Sequence, residues 1–215
     1  MRIRWLAGDV ALALILIACR PTVARPFTYV AIGASDAVGV GARDPETEGW
    51  VPRLGARLGG DTRVVNLGVS GSTLAQALDE QLGPALDARP DVVTVWLAVN
   101  DFNAGVPIDR YAVDLDRLLD SLRRTQARVL VGNVPDLAQL APFARRAQLT
   151  QQVDAWNQAI AEAASRHGAI LVDLHAHWQE AAEHPEYLSQ DGFHPSSEGY
   201  ARLAELFGEA LDGSR

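Results

Sequence analysis

The chain has few of the residues that cross-link small folds or grip polyanions. It has one cysteine, Cys19, in 215 residues, which excludes an internal disulfide and a cysteine-built metal site, so the fold must rest on packing. Lysine is absent. All 19 basic residues are arginine, scattered with no basic run, and with a formal charge of -8 and a pI near 5.1 they argue against a phosphate-backbone partner such as nucleic acid. There is no internal repeat or low-complexity tract. The apolar run Val10 to Ala18 is too short to span a bilayer comfortably. What is present, a 48% apolar composition at this length, suits one domain around one core.

The N-terminus reads separately. Arg2 and Arg4 precede the apolar stretch, the layout of an export signal, although Asp9 interrupts it. Leu16-Ile17-Ala18-Cys19 resembles the lipobox of bacterial lipoproteins, which implies acylation of Cys19. A plain signal peptide or an uncleaved anchor is the alternative. Residues 1–18 are thus expected as a signal peptide, with Cys19 as mature N-terminus, 19–26 as a tether and 27–215 as the folded domain. The expected location is extracytoplasmic, secreted or membrane-anchored on the periplasmic or cell-envelope side.

From Phe27 onward, short β-branched runs alternate with segments of helical period, the signature of βα units on a parallel sheet. Five strands are expected: Thr28 to Ala34, Arg63 to Gly68, Val92 to Val99, Val129 to Val134 and Ala169 to Leu174. Their Val, Ile and Leu content fits strands covered on both faces. Tyr111, Leu115, Leu118, Leu119 and Leu122 form one stripe of a helix over 110–124. A second helix covers 147–167, stopped by Gly168. A third follows Pro195 with Ser196 or Ser197 as N-cap. Shorter helices are expected at Val51 to Leu58 and Thr73 to Leu82. The loops Gly39 to Gly49 and Pro135 to Arg145 follow strands and would face the ligand edge of an open sheet. Trp50 is a candidate cleft wall.

Ester cleavage by serine needs a nucleophile, a base whose pKa lies near neutrality, a group that orients the base, and donors for the oxyanion. The expected strand ends present Gly33-Ala34-Ser35-Asp36, Asn66-Leu67-Gly68 and Ala98-Val99-Asn100-Asp101, and Asp191-Gly192-Phe193-His194-Pro195 follows the fifth. This ordered set resembles the SGNH (GDSL-like) hydrolases, with Ser35, Gly68, Asn100 and His194 as the four lettered residues. The resemblance implies a three-layer αβα, flavodoxin-like α/β fold with a five-stranded parallel sheet. It makes Ser35 the nucleophile, His194 its base and Asp191 the acid. Its oxyanion hole would be built from the Ser35 N–H, the Gly68 N–H and the Asn100 amide. It implies no cofactor, no metal and a small ester or lipid substrate.

The first block departs from Gly-Asp-Ser-Leu, with Ala34 for the Asp and Asp36 for the Leu, and Ala98 stands for Gly in the third. Ala34 loses a carboxylate that helps shape the turn, and Asp36 adds a charge beside the nucleophile. Other residues have plainer readings. Ser70, Ser72 and Thr73 suit a helix start, and His167 suits a helix C-terminus. Asp173, His175 and His177 alternate but lack a clear fourth metal ligand. The rival to an esterase is a non-catalytic flavodoxin-like binding module, disfavoured because the loop after the first strand has no dense Gly/Ser/Thr phosphate cradle.

Overall fold

A computed structural model describes residues 25–139 and 148–214. The expected signal peptide, the Cys19 lipidation site and residues 20–24 of the tether lie outside the described residues, as does the 140–147 part of the second loop. The strands are β1 (Thr28–Gly33), β2 (Arg63–Asn66), β3 (Val92–Trp96), β4 (Arg128–Gly132) and β5 (Ile170–Val172). They form one five-stranded parallel sheet in the order β2-β1-β3-β4-β5. The helices are α1 (Ser35–Val38), α2 (Pro45–Glu48), α3 (Trp50–Leu58), α4 (Leu74–Glu80), α5 (Leu82–Asp87) and α6 (Val99–Asn103). They continue with α7 (Ile108–Arg123), α8 (Leu149–His167), α9 (Leu174–His177), α10 (Glu180–Glu183) and α11 (Ser197–Gly213). The α/β, three-layer expectation is met.

Strand residues alternate between two cores because successive side chains point to opposite faces. Val30, Ile32, Val93, Val95 and Val131 face a cluster that includes Leu118 of α7 and Ile160 of α8. Tyr29, Ala31, Leu130 and Val172 face α3 and α11. Trp50 belongs to this second core: it is fully buried and stacks on Phe207 with ring centroids 4.4 Å apart, so it is no cleft wall. The chain keeps it there because an apolar helix start at 50–51 must be buried against α11.

Three local expectations change. Edge strand β2 is largely exposed, with Val64 at 39%, because only one side of it has a strand neighbour and its faces are thinly covered. The helix expected over 73–82 is two helices broken at Gln81. Loop 39–49 contains α2, started by the Asp44 side chain accepting from the Glu46 N–H. Other caps agree: Gly168 closes α8 in the left-handed conformation at φ 67°, and Ser196 starts α11. Thr73 makes a capping box with Gln76 at α4.

The order β2-β1-β3 means that the chain leaves β1 to one side for β2 and returns to the other for β3. The crevice between the C-terminal ends of β1 and β3 is therefore the topological switch point of the sheet, where open α/β folds leave room for ligands.

Candidate active site

Ser35 and Asn100 both lie at that switch point. Ser35 is the first residue of α1, directly after Ala34 as N-cap, so its own N–H has no intrahelical partner. The turn from β1 into α1 is tight. A Cβ on Gly33 would come within 2.7 Å of the Ala37 Cβ, so no larger residue fits there.

His194 arrives on a turn that closes just before α11. Leu188 and Pro195 form an antiparallel bridge, and the Ser189 N–H donates to the His194 carbonyl at 2.8 Å. Gly192 takes the left-handed φ of 64° that this reversal needs. Asp191 organises the turn from inside. Its Oδ1 accepts from the Ser189 hydroxyl and from the backbone N–H groups of Phe193 and His194, at 2.8 to 2.9 Å. Its Oδ2 lies 2.7 Å from His194 Nδ1. Partial burial works to raise the Asp191 pKa, but the hydrogen bonds from His194, Phe193 and Ser189 outweigh it and hold the carboxyl well below the ordinary carboxylate range.

His194 Nε2 is 3.0 Å from Ser35 Oγ across 159 positions of sequence. Because Nδ1 faces a carboxylate, the hydrogen-bond network assigns the Nδ1–H tautomer, which leaves Nε2 as acceptor for the serine hydroxyl. Packing reinforces the approach. Gly41, at φ 99°, lies against the turn so closely that a Cβ there would be 2.4 Å from the Pro195 carbonyl and 3.1 Å from His194 Cβ.

Asn100 sits in α6, and its amide donates to the Ser72 carbonyl at 2.9 Å. An amide nitrogen carries two hydrogens, so one remains for a ligand in the small cavity that Asn100 shares with Ser35, Asp36 and Phe193. Buried Asp101 accepts the Leu74 N–H with both oxygens, at 3.2 and 2.9 Å, and ties the start of α4 to α6. Burial pushes Asp101 up to about 6.

Gly68 does not offer its N–H to this cavity. That N–H donates to Asn66 Oδ1 at 3.1 Å, while Asn66 Nδ2 holds the Ala37 carbonyl at 2.6 Å, and Gly68 itself packs on Ala34 and Ala37. Three residues on, Gly71 turns the same loop at φ 80°, next to the Ser72 carbonyl that holds Asn100. Its N–H makes no hydrogen bond to the described residues. In sequence Gly68 stands nearer the strand end, and nothing there shows that the left-handed turn falls at Gly71.

Asp36 is half-buried beside Ser35. Burial pushes its carboxyl up to about 6, against the pull of the His194 charge, with Asp191 adding repulsion. The alternating Asp173, His175 and His177 are used otherwise: Asp173 caps α9 and accepts from Asn133 Nδ2 at 2.7 Å, and His177 pairs with Glu180. Among the described residues no group of three His, Cys, Asp or Glu side chains is arranged to hold a metal ion. His167, at the end of α8, pairs with Asp116 at 2.9 Å.

The chain is similar to several solved structures. TesA shares 26% identity with a TM-score of 0.72, over 86% of this chain and 97% of that one. An acetylxylan esterase from Geobacillus stearothermophilus, solved as a catalytic mutant, shares 19% with a TM-score of 0.71, over 86% and 94%. The lipase/acylhydrolase from Enterococcus faecalis shares 21% with a TM-score of 0.69, over 87% and 96%. These last two likenesses show the fold. No functionally curated relative matches the sequence. The profile of the GDSL-like Lipase/Acylhydrolase family matches residues 31–202, from β1 into α11 and across every site residue above, and the chain belongs to that family.

Proposed function

We propose that the chain cleaves carboxylic esters or thioesters through an acyl intermediate on Ser35. The observation that carries this reading is the continuous hydrogen-bonded line from Asp191 through His194 to Ser35, at 2.7 and 3.0 Å. In it, His194 Nε2 takes the Ser35 proton as Oγ attacks the acyl carbon. The leaving alcohol or thiol then departs with that proton, and a water activated by the same nitrogen hydrolyses the acyl-serine. Asp191 holds the imidazole in the tautomer that can accept and stabilises the imidazolium. The carbonyl oxygen, charged in the tetrahedral intermediate, is met by the Ser35 N–H and the Asn100 amide. Gly71 is the better third donor, since the N–H of Gly68 is already engaged.

A fluorophosphonate probe tests the nucleophile. Wild type is labelled on Ser35 and Ser35→Ala is not; label retained in Ser35→Ala would overturn the reading. A panel of acyl-chain lengths and acetylated sugars then identifies the substrate, with lysophospholipids and small lipid esters included. We further propose that the protein works outside the cytoplasm, anchored through Cys19. The support is the charged-then-apolar leader and the lipobox-like Leu16 to Cys19. Metabolic labelling with an alkynyl fatty acid should be lost in Cys19→Ser.

A further inference from the structure

Gln81 belongs to no motif, yet its side chain joins two parts of the site. It stands at the break between α4 and α5 and is 2% exposed. Its Oε1 accepts the Gly33 N–H at 3.0 Å, and its Nε2 donates to the Gly33 carbonyl at 3.1 Å and to Ser72 Oγ at 3.2 Å. Gly33 ends β1, two residues before Ser35. Ser72 is the residue whose carbonyl fixes the Asn100 amide.

The need for an amide at this place comes from the sheet. β2 ends at Asn66, so beyond it β1 has no strand neighbour on that side, and Gly33 keeps only a single backbone bond there, from the Val69 N–H at 3.2 Å. Gly33 is buried, and an unmet backbone N–H in such a place is costly. A primary amide carries a donor and an acceptor on one planar group, as a peptide does, and can pair with both sides of Gly33 at once. Asparagine alone shares that chemistry, and it is one methylene shorter. The second hydrogen of Nε2 then reaches Ser72.

We propose that Gln81 is a positioning residue for oxyanion binding, fixing the distance between the Ser35 N–H and the Asn100 amide through Gly33 and Ser72. It touches no substrate. It acts because donors aimed at a developing charge must be held before the charge appears. The inference rests on Ser35 being the nucleophile, so fluorophosphonate labelling of wild type comes first; an unlabelled wild type overturns that reading and this one with it.

With labelling established, Gln81→Met, similar in length but unable to pair, is compared with Ile160→Ala, a buried core change on α8 away from the site. Gln81→Met should lower kcat on the order of 10- to 100-fold with KM held within about twofold, and leave the acid side of the pH profile in place because the His194–Asp191 pair is untouched. Ile160→Ala, assayed well below its Tm, should keep kcat. Ser72→Ala cuts the same link from its other end, so the kcat losses of Ser72→Ala and Gln81→Met should not multiply when combined. If Gln81→Met fails to fold, Ser72→Ala alone must lower kcat without moving KM. Wild-type kcat in the folded variants, a loss shared by Ile160→Ala, or fully multiplicative losses would each overturn the proposal.

Discussion

The Asp191–His194 turn and the loop from Asn66 to Leu74 serve one site but are built in opposite ways. The turn is self-contained: one carboxylate satisfies three donors within three residues and holds the imidazole with its other oxygen. The loop is held from outside, by Asn100 on Ser72, Asp101 on Leu74 and Gln81 on Ser72. Short-range geometry lets four letters of sequence carry a complete device. A device whose parts are fixed by distant side chains leaves no such mark.

Mutations can break or sharpen this contrast. Ser35 is where the two regions meet, and Ser35→Ala should cost the most, about 10⁴-fold or more in kcat on a p-nitrophenyl ester. Asp191→Asn should follow, on the order of 10³- to 10⁴-fold, because it favours the wrong imidazole tautomer while keeping the turn's shape. Asn100→Ala removes one donor and should cost roughly 10²- to 10³-fold in kcat, about 2.7 to 4 kcal/mol. An Asn100→Ala loss larger than that of Asp191→Asn would reverse the ranking of the two regions.

Gly71→Ala places a side chain at φ 80° and should lower kcat about tenfold by re-aiming the N–H, an effect read with KM in the same assay. The last effect is on stability, with the smallest change in rate. The folded protein holds the Asp36 proton up to about pH 6 whereas the unfolded chain releases it near 3.8, so stability falls as pH rises through that window. Asp36→Asn should therefore gain on the order of 2 to 3 kcal/mol at pH 7.5 and well under 1 kcal/mol at pH 4, measured by urea midpoints. An equal gain at both pH values would show that Asp36 does not titrate there.

The sequence made the sheet legible because all five strands carry β-branched runs and the long helices carry clear stripes, as at Tyr111 to Leu122. It named Ser35, Asn100, Asp191 and His194, all of which the fold brings to one edge. It misled at Trp50, where position just after a loop said nothing of the aromatic stack on Phe207. It misled again at Gly68, whose N–H is spent on a side chain two residues back. Gln81 was unreadable: a lone glutamine in a helical stretch carries no sign that a neighbouring strand stops short and leaves a backbone pair in need of it.

The two ends of β1 point in different directions for the whole molecule. At its start, Arg25 pairs with Asp91 and Thr28 bonds the same carboxylate, pinning the entry of the chain to the floor of the sheet. Ser35 opens at the far side, roughly 20 Å away by the rise of an extended strand. Entry of the chain and the Ser35 cleft are therefore at opposite edges of one sheet, so a group joined to the chain ahead of Arg25 leads away from the cleft's edge.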